Sequence, residues 1–154
     1  PSPKNDPEVL KDNLLPNALV YHIHEQEVSH HIGRDFRLMP HVAPFIRGIT
    51  LSVAAELRKA TTEKALMARF REYYSGFPLV EVREAIPDVR QVRGRHQLLL
   101  GGFAVSENNP GRIGLVAVLD NLLKGAATQA VQNLNLAFGL DAMKGLDIRL
   151  GEPS

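Results

Sequence analysis

The chain has 154 residues, no cysteine, and 18 lysines and arginines set against 17 aspartates and glutamates. That length can bury a core of its own as one domain, and the balanced charge provides no global field for nucleic acid or an anionic membrane. The missing cysteine excludes a disulfide scaffold, a thiolate metal site and an internal thiol nucleophile.

The opening residues Pro1-Ser2-Pro3-Lys4-Asn5-Asp6-Pro7 are polar, proline-rich and without an initiator methionine. They read as the start of a fragment or processed piece in a loop, not as a signal peptide. No stretch approaches the roughly 18 apolar residues of a membrane span, so the expectation is a soluble cytoplasmic domain, or one of the mitochondrial matrix in a fungal source. Residues 6 to 15 carry a helix-start signature, with Asp6 as cap, Pro7 at the first helical position and Pro16 closing the segment. A short extended piece around residues 18 to 22 leads to a second short helix over residues 25 to 32, ended by Gly33. Residues 36 to 42 and 45 to 57 suit strands broken by Pro40, Pro44 and Gly48. A helix follows from Thr61 or Thr62 to Tyr74. Residues 79 to 83, 97 to 105 and 112 to 119 read as strands, the last two joined by the turn Glu107-Asn108-Asn109-Pro110-Gly111.

From Gly114 to Leu119 the run is wholly small or apolar, and at Asp120-Asn121 it gives way to a small-residue helix start, Lys124-Gly125-Ala126-Ala127. Leu123, Ala126 or Ala127, Ala130, Leu134 and Phe138 recur at helical spacing and predict a core-facing stripe that stops at Gly139. Strands interrupted by helices without regular alternation indicate an α+β fold, with a mixed, mainly antiparallel sheet and helices packed on one face.

Two clusters carry the chemistry. In the strand-turn-helix of residues 114 to 139, small residues let another surface approach the positive end of a helix. Lys124 adds a charge there, and Asn121 a donor and an acceptor that match a carboxamide. The second cluster is Tyr21-His22-Ile23-His24-Glu25-Gln26-Glu27. In an extended backbone His22 and His24 share a face, and Glu27 follows from the first helical turn. Histidine beside a carboxylate suits proton transfer near neutral pH, although a solvated junction has the same composition. Zinc is not expected, because the common catalytic site of two histidines and a glutamate uses a longer helical spacing. His30 and His31 complement a helix C-terminus, His41 reads as a packed structural histidine or a site residue, and His96 as exposed in the basic turn Arg93-Gly94-Arg95.

Three motifs in order, residues 22–27, Pro40-His41-Val42-Ala43-Pro44-Phe45-Ile46-Arg47-Gly48-Ile49 and residues 120–135, resemble N-acetyl-gamma-glutamyl-phosphate reductases of arginine biosynthesis. The form Asp-Asn-Leu-Leu-Lys-Gly-Ala-Ala-Thr-Gln is similar to the subtype of fungal enzymes and some bacteria. The resemblance implies the C-terminal domain type of the glyceraldehyde-phosphate and aspartate-semialdehyde dehydrogenase-like reductases. It also implies an acyl-phosphate or semialdehyde substrate, NADP as cofactor and a homo-oligomer, with neither nucleic acid nor membrane as partner. In such enzymes an acyl phosphate forms a thioester on a cysteine and is reduced by NADPH. On that resemblance His24 is the acid/base and His22 its neighbour, though the order could be reversed. Glu27 and Tyr21 contact substrate, and Asn121, Lys124 and Gly125 line the nicotinamide side of the cofactor pocket. The cysteine and a Gly-x-Gly-x-x-Gly loop are both absent, and Gly101-Gly102 belongs to a strand pattern. The chain therefore reads as residues 1–154 of one domain, without the Rossmann-type nucleotide domain and inert alone. A related acyl phosphate of the aminoadipate or aspartate type, or a non-catalytic assembly module, remain alternatives.

Overall fold

The computed structural model describes residues 6–146. They pack as two compact units, one ending at Ile46 and the other beginning at Arg47, a division for which the sequence carries no linker signal.

The first unit holds α1 (Pro7–Leu10), β1 (Leu15–Pro16), α2 (Ile23–Ile32) and β2 (His41–Val42). Asp6 accepts from the Glu8 N–H at 3.0 Å, so the expected cap forms. The helix nevertheless lasts four residues, because Lys11 turns to ψ 123° and Asp12 adopts φ +51°. The residues expected to continue it instead reach β1, which pairs antiparallel with β2. Within the stretch 36–42 only His41–Val42 is a strand. The helix α2 starts two residues earlier than its periodicity suggests and ends on Gly33 at φ +64°, a left-handed cap that suits glycine.

The second unit contains β3 (Ile49–Glu56), α3 (Glu63–Tyr74), β4 (Val80–Val82), β5 (Leu98–Val105), β6 (Arg112–Leu119) and α4 (Thr128–Ala137). The sheet order is β3-β6-β5-β4; β3 and β5 flank β6 antiparallel, and only β4 runs parallel to β5. The mixed, mainly antiparallel sheet is the one expected. Thr62 caps α3 by accepting from the Ala65 N–H at 3.2 Å, and the helix lays Leu66 against Leu100, Phe103, Ile113 and Leu115. On alternate positions Leu99 and Val118 form a second buried cluster with Val92. The strand period of two thus supplies both cores from the same two strands.

After β6 the chain makes one wide turn (Leu123–Ala127) before α4. Its bonds skip an extra residue: the Gly125 N–H donates to the Asp120 carbonyl and that of Ala127 to the Leu122 carbonyl. The expected stripe is corrected here, since Ala130, Leu134 and Phe138 are exposed while Thr128 and Asn135 are buried. Those polar residues go inside because they have partners. Thr128 Oγ1 lies 2.7 Å from His96 Nδ1, and the Asn135 amide donates to the carbonyls of Ala142 and Lys144 at 3.3 and 2.8 Å. His96 is accordingly half-buried instead of exposed. Asn135→Ala is expected to cost about 1–2 kcal/mol in urea unfolding, by stripping two carbonyls of their donor.

Candidate functional site

The histidine cluster lies at the start of α2. His22 is the cap, and its Nδ1 accepts from the His24 N–H at 3.3 Å. A carboxylate or hydroxyl usually fills that position, so an imidazole there spends one ring nitrogen on the backbone and is fixed in orientation. Sequence reasoning placed both histidines on one extended face. The structure brings their rings to 5.1 Å by the cap geometry instead. Glu27, three residues along the helix, puts Oε2 3.1 Å from His24 Nδ1. Both side chains stay open to solvent, at 60 and 62% exposure, which leaves the far ring nitrogen of His24 accessible to a substrate. Tyr21 precedes the cap at φ +60° and is 86% exposed; a non-glycine residue in that region is strained. Glu25 is structural, its Oε1 accepting from the Leu38 N–H at 2.8 Å. His41 is exposed, with Nδ1 3.1 Å from the Met39 carbonyl. Among the described residues no group of three or more histidines and acids is placed to hold a metal ion.

The turn after β6 belongs to the second unit. Its backbone N–H groups were expected to face a ligand, and they are used internally. Those of Leu122 and Leu123 go to Asp120 Oδ1 at 2.9 and 3.0 Å, and that of Gly125 to the Asp120 carbonyl at 2.9 Å. Asn121 Oδ1 accepts from the Gly48 N–H at 2.7 Å. Lys124 is half-buried and donates to Gln129 Oε1 at 2.6 Å and Gln132 Oε1 at 2.9 Å. With two amide oxygens and no acid against it, burial holds its pKa below the ordinary lysine value. Gly125 is exposed, but a Cβ there would point inward to 3.1 Å from Leu119 Cδ1, so its missing side chain serves packing beneath the turn.

Asp120 is the residue that sequence reasoning passed over. It is fully buried; besides the two N–H groups on Oδ1, its Oδ2 accepts from the Gly94 N–H at 2.7 Å and faces Arg47 Nε at 3.1 Å. The guanidinium approaches off the line a hydrogen bond needs, so this contact is an ion pair. Desolvation raises the Asp120 pKa, but the N–H donors of Gly94, Leu123 and Leu122 together with the Arg47 charge outweigh it and hold the carboxyl below its usual range. A lone acid at the end of an apolar run, just before a helix start, is the sequence signal for such a buried cap. Gly48, next to Arg47, has φ +109°, and a Cβ there would come within 2.9 Å of Val89 Cβ. Gly48→Ala is therefore expected to lower stability by about 1–3 kcal/mol, read from the urea midpoint.

Residues 1–121 match the family described as semialdehyde dehydrogenase, dimerisation domain. The chain is 49% identical over 146 residues to an N-acetyl-gamma-glutamyl-phosphate reductase of Xanthomonas campestris, covering 95% of this chain and 46% of that protein. It is 46% identical over 147 residues to the bifunctional protein argC, mitochondrial, of Dictyostelium discoideum, covering 95% of this chain and 17% of that protein. The chain thus spans less than half the length of these curated relatives. Among solved structures, a probable aspartate-semialdehyde dehydrogenase from Pseudomonas aeruginosa superposes with a TM-score of 0.67 at 22% identity, over 85% of this chain and 43% of that one. The aspartate semialdehyde dehydrogenase II of Vibrio cholerae superposes with a TM-score of 0.66, also at 22% identity, over 82% of this chain and 41% of that one. The antiparallel sheet with α3 on one face, the histidine-capped α2 and the buried cap after β6 are therefore the parts of a chain that belongs to the semialdehyde dehydrogenase dimerisation-domain family.

Proposed function

We propose that this chain is the substrate-binding and dimerisation half of an NADPH-dependent N-acetyl-gamma-glutamyl-phosphate reductase, completed by a nucleotide domain that carries the cysteine. The observation that carries the reading is the His24–Glu27 pair at 3.1 Å beside His22, in a chain 49% identical to the Xanthomonas campestris reductase. Glu27 fixes the His24 ring through Nδ1, so the opposite nitrogen is the one that exchanges a proton with thiol or substrate oxygen. His22, held by its cap bond, walls the same junction. Tyr21, whose side chain is exposed, contacts the substrate.

The nucleotide, when bound, supplies the hydride. The turn of Asn121, Lys124 and Gly125 does not fit a phosphate cradle, because the N–H groups of Leu122, Leu123, Gly125 and Ala127 and the Asn121 oxygen are committed within the chain. We assign the turn as a flat wall on the nicotinamide side, where Lys124 retains one of its three ammonium donors. The phosphates belong to the other domain. The compartment we assign is the cytoplasm, or the mitochondrial matrix in a fungal source.

The test is a chimera in which this chain replaces the matching segment of the Xanthomonas campestris reductase, assayed for phosphate-dependent reduction of NADP with N-acetylglutamate semialdehyde. Activity above the truncated enzyme is expected. A folded, dimeric chimera without activity rejects the reading in favour of an assembly module.

A further inference from the structure

The guanidinium of Arg47 is held beside a buried acid by its inner edge alone. Its inner edge faces Asp120, whose Oδ1 accepts from the Leu122 and Leu123 N–H groups and whose Oδ2 accepts from that of Gly94, with Arg47 Nε 3.1 Å from Oδ2 as an ion pair. Among the described residues the two terminal amino groups make no hydrogen bond, and the side chain is 39% exposed. The backbone beneath is fixed as well, since the adjacent Gly48 N–H is held by Asn121 and Gly48 sits against Val89.

The structure assigns Arg47 as an oxyanion-binding residue, its outer edge forming a two-donor fork for a carboxylate or phosphate. A planar fork held by a buried acid is preorganised, so little side-chain entropy is lost when an anion docks. Buried Asp120 alone needs a positive charge, which lysine would supply; the fork is what arginine adds. The assignment concerns binding by this chain and stands apart from the reductase reading.

The test is an NMR titration of the 154-residue chain, following Arg47 Nε–H and Gly48 N–H, with inorganic phosphate in one arm, glutarate in a second and sodium chloride at matched ionic strength in a third. A saturable shift with a Kd on the order of millimolar is expected in the phosphate or glutarate arm, and the arm with the tighter Kd identifies the source. Arg47→Lys is expected to weaken it roughly tenfold. A shift matched by sodium chloride, or no larger than that of the 80%-exposed Arg37, overturns the assignment whether or not the lysine variant folds. Equal affinity in a folded Arg47→Lys chain overturns it too.

Discussion

Replacing His24 by alanine in the chimeric reductase is expected to lower kcat by about 10²–10⁴-fold with KM little changed, the range for losing a positioned acid/base group. His24 has no packing role that would confuse the result. It is exposed, and the bonds that organise the helix start are made by the His22 ring and by backbone groups. Steady-state kinetics beside a thermal melt separate the two effects: an unchanged melting temperature with collapsed turnover places His24 in the chemistry. Unchanged turnover removes it and shifts the assignment to His22. Glu27→Gln gives the companion result. An amide still reaches Nδ1 but carries no charge to support an imidazolium, so a smaller loss in kcat is expected than for His24→Ala.

Asp120→Ala is expected to cost about 3–5 kcal/mol, read as a shift in the urea midpoint, the largest stability effect of any single change considered for this chain. The substitution strips partners from the N–H groups of Gly94, Leu122 and Leu123 and leaves Arg47 with a half-buried, uncompensated charge. Asp120 also sets a pH dependence. Its folded pKa is depressed, so its contribution is fully present above the unfolded value of about 4 and is lost as pH falls through the lower, folded value. Urea unfolding between pH 6 and pH 2 should show wild type losing stability in that acid window, with Asp120→Ala flatter across it. Parallel pH profiles for the two proteins would refute the assignment of this clamp.

The parts of the fold legible in the sequence are those whose signals are local. Thr62 capping α3, Gly33 closing α2 and the turn over residues 107–111 between β5 and β6 each follow from bonds within a few residues. The parts that were not legible depend on distant partners. The expected stripe left Thr128 and Asn135 off the core because His96 and the carbonyls of Ala142 and Lys144 are invisible to helical periodicity. Arg47 and Asp120 lie 73 residues apart in sequence, and neither periodicity nor composition joins them. For the candidate site, sequence motifs located His22, His24 and Glu27 together, and the structure adds the atom pairing that gives each a distinct task. The first two N–H groups expected to face a ligand after β6, those of Leu122 and Leu123, are taken by a buried acid.

The wide turn at Leu123–Ala127 works as a built-in insertion. Deleting one residue from it would let ordinary helical bonds close and rotate everything downstream by about 100° about the helix axis. Thr128 would swing away from His96, Asn135 from the carbonyls it holds, and a different column of side chains would turn inward. The length of this loop, more than the identity of any residue in it, decides which side of α4 the protein shows to its surroundings.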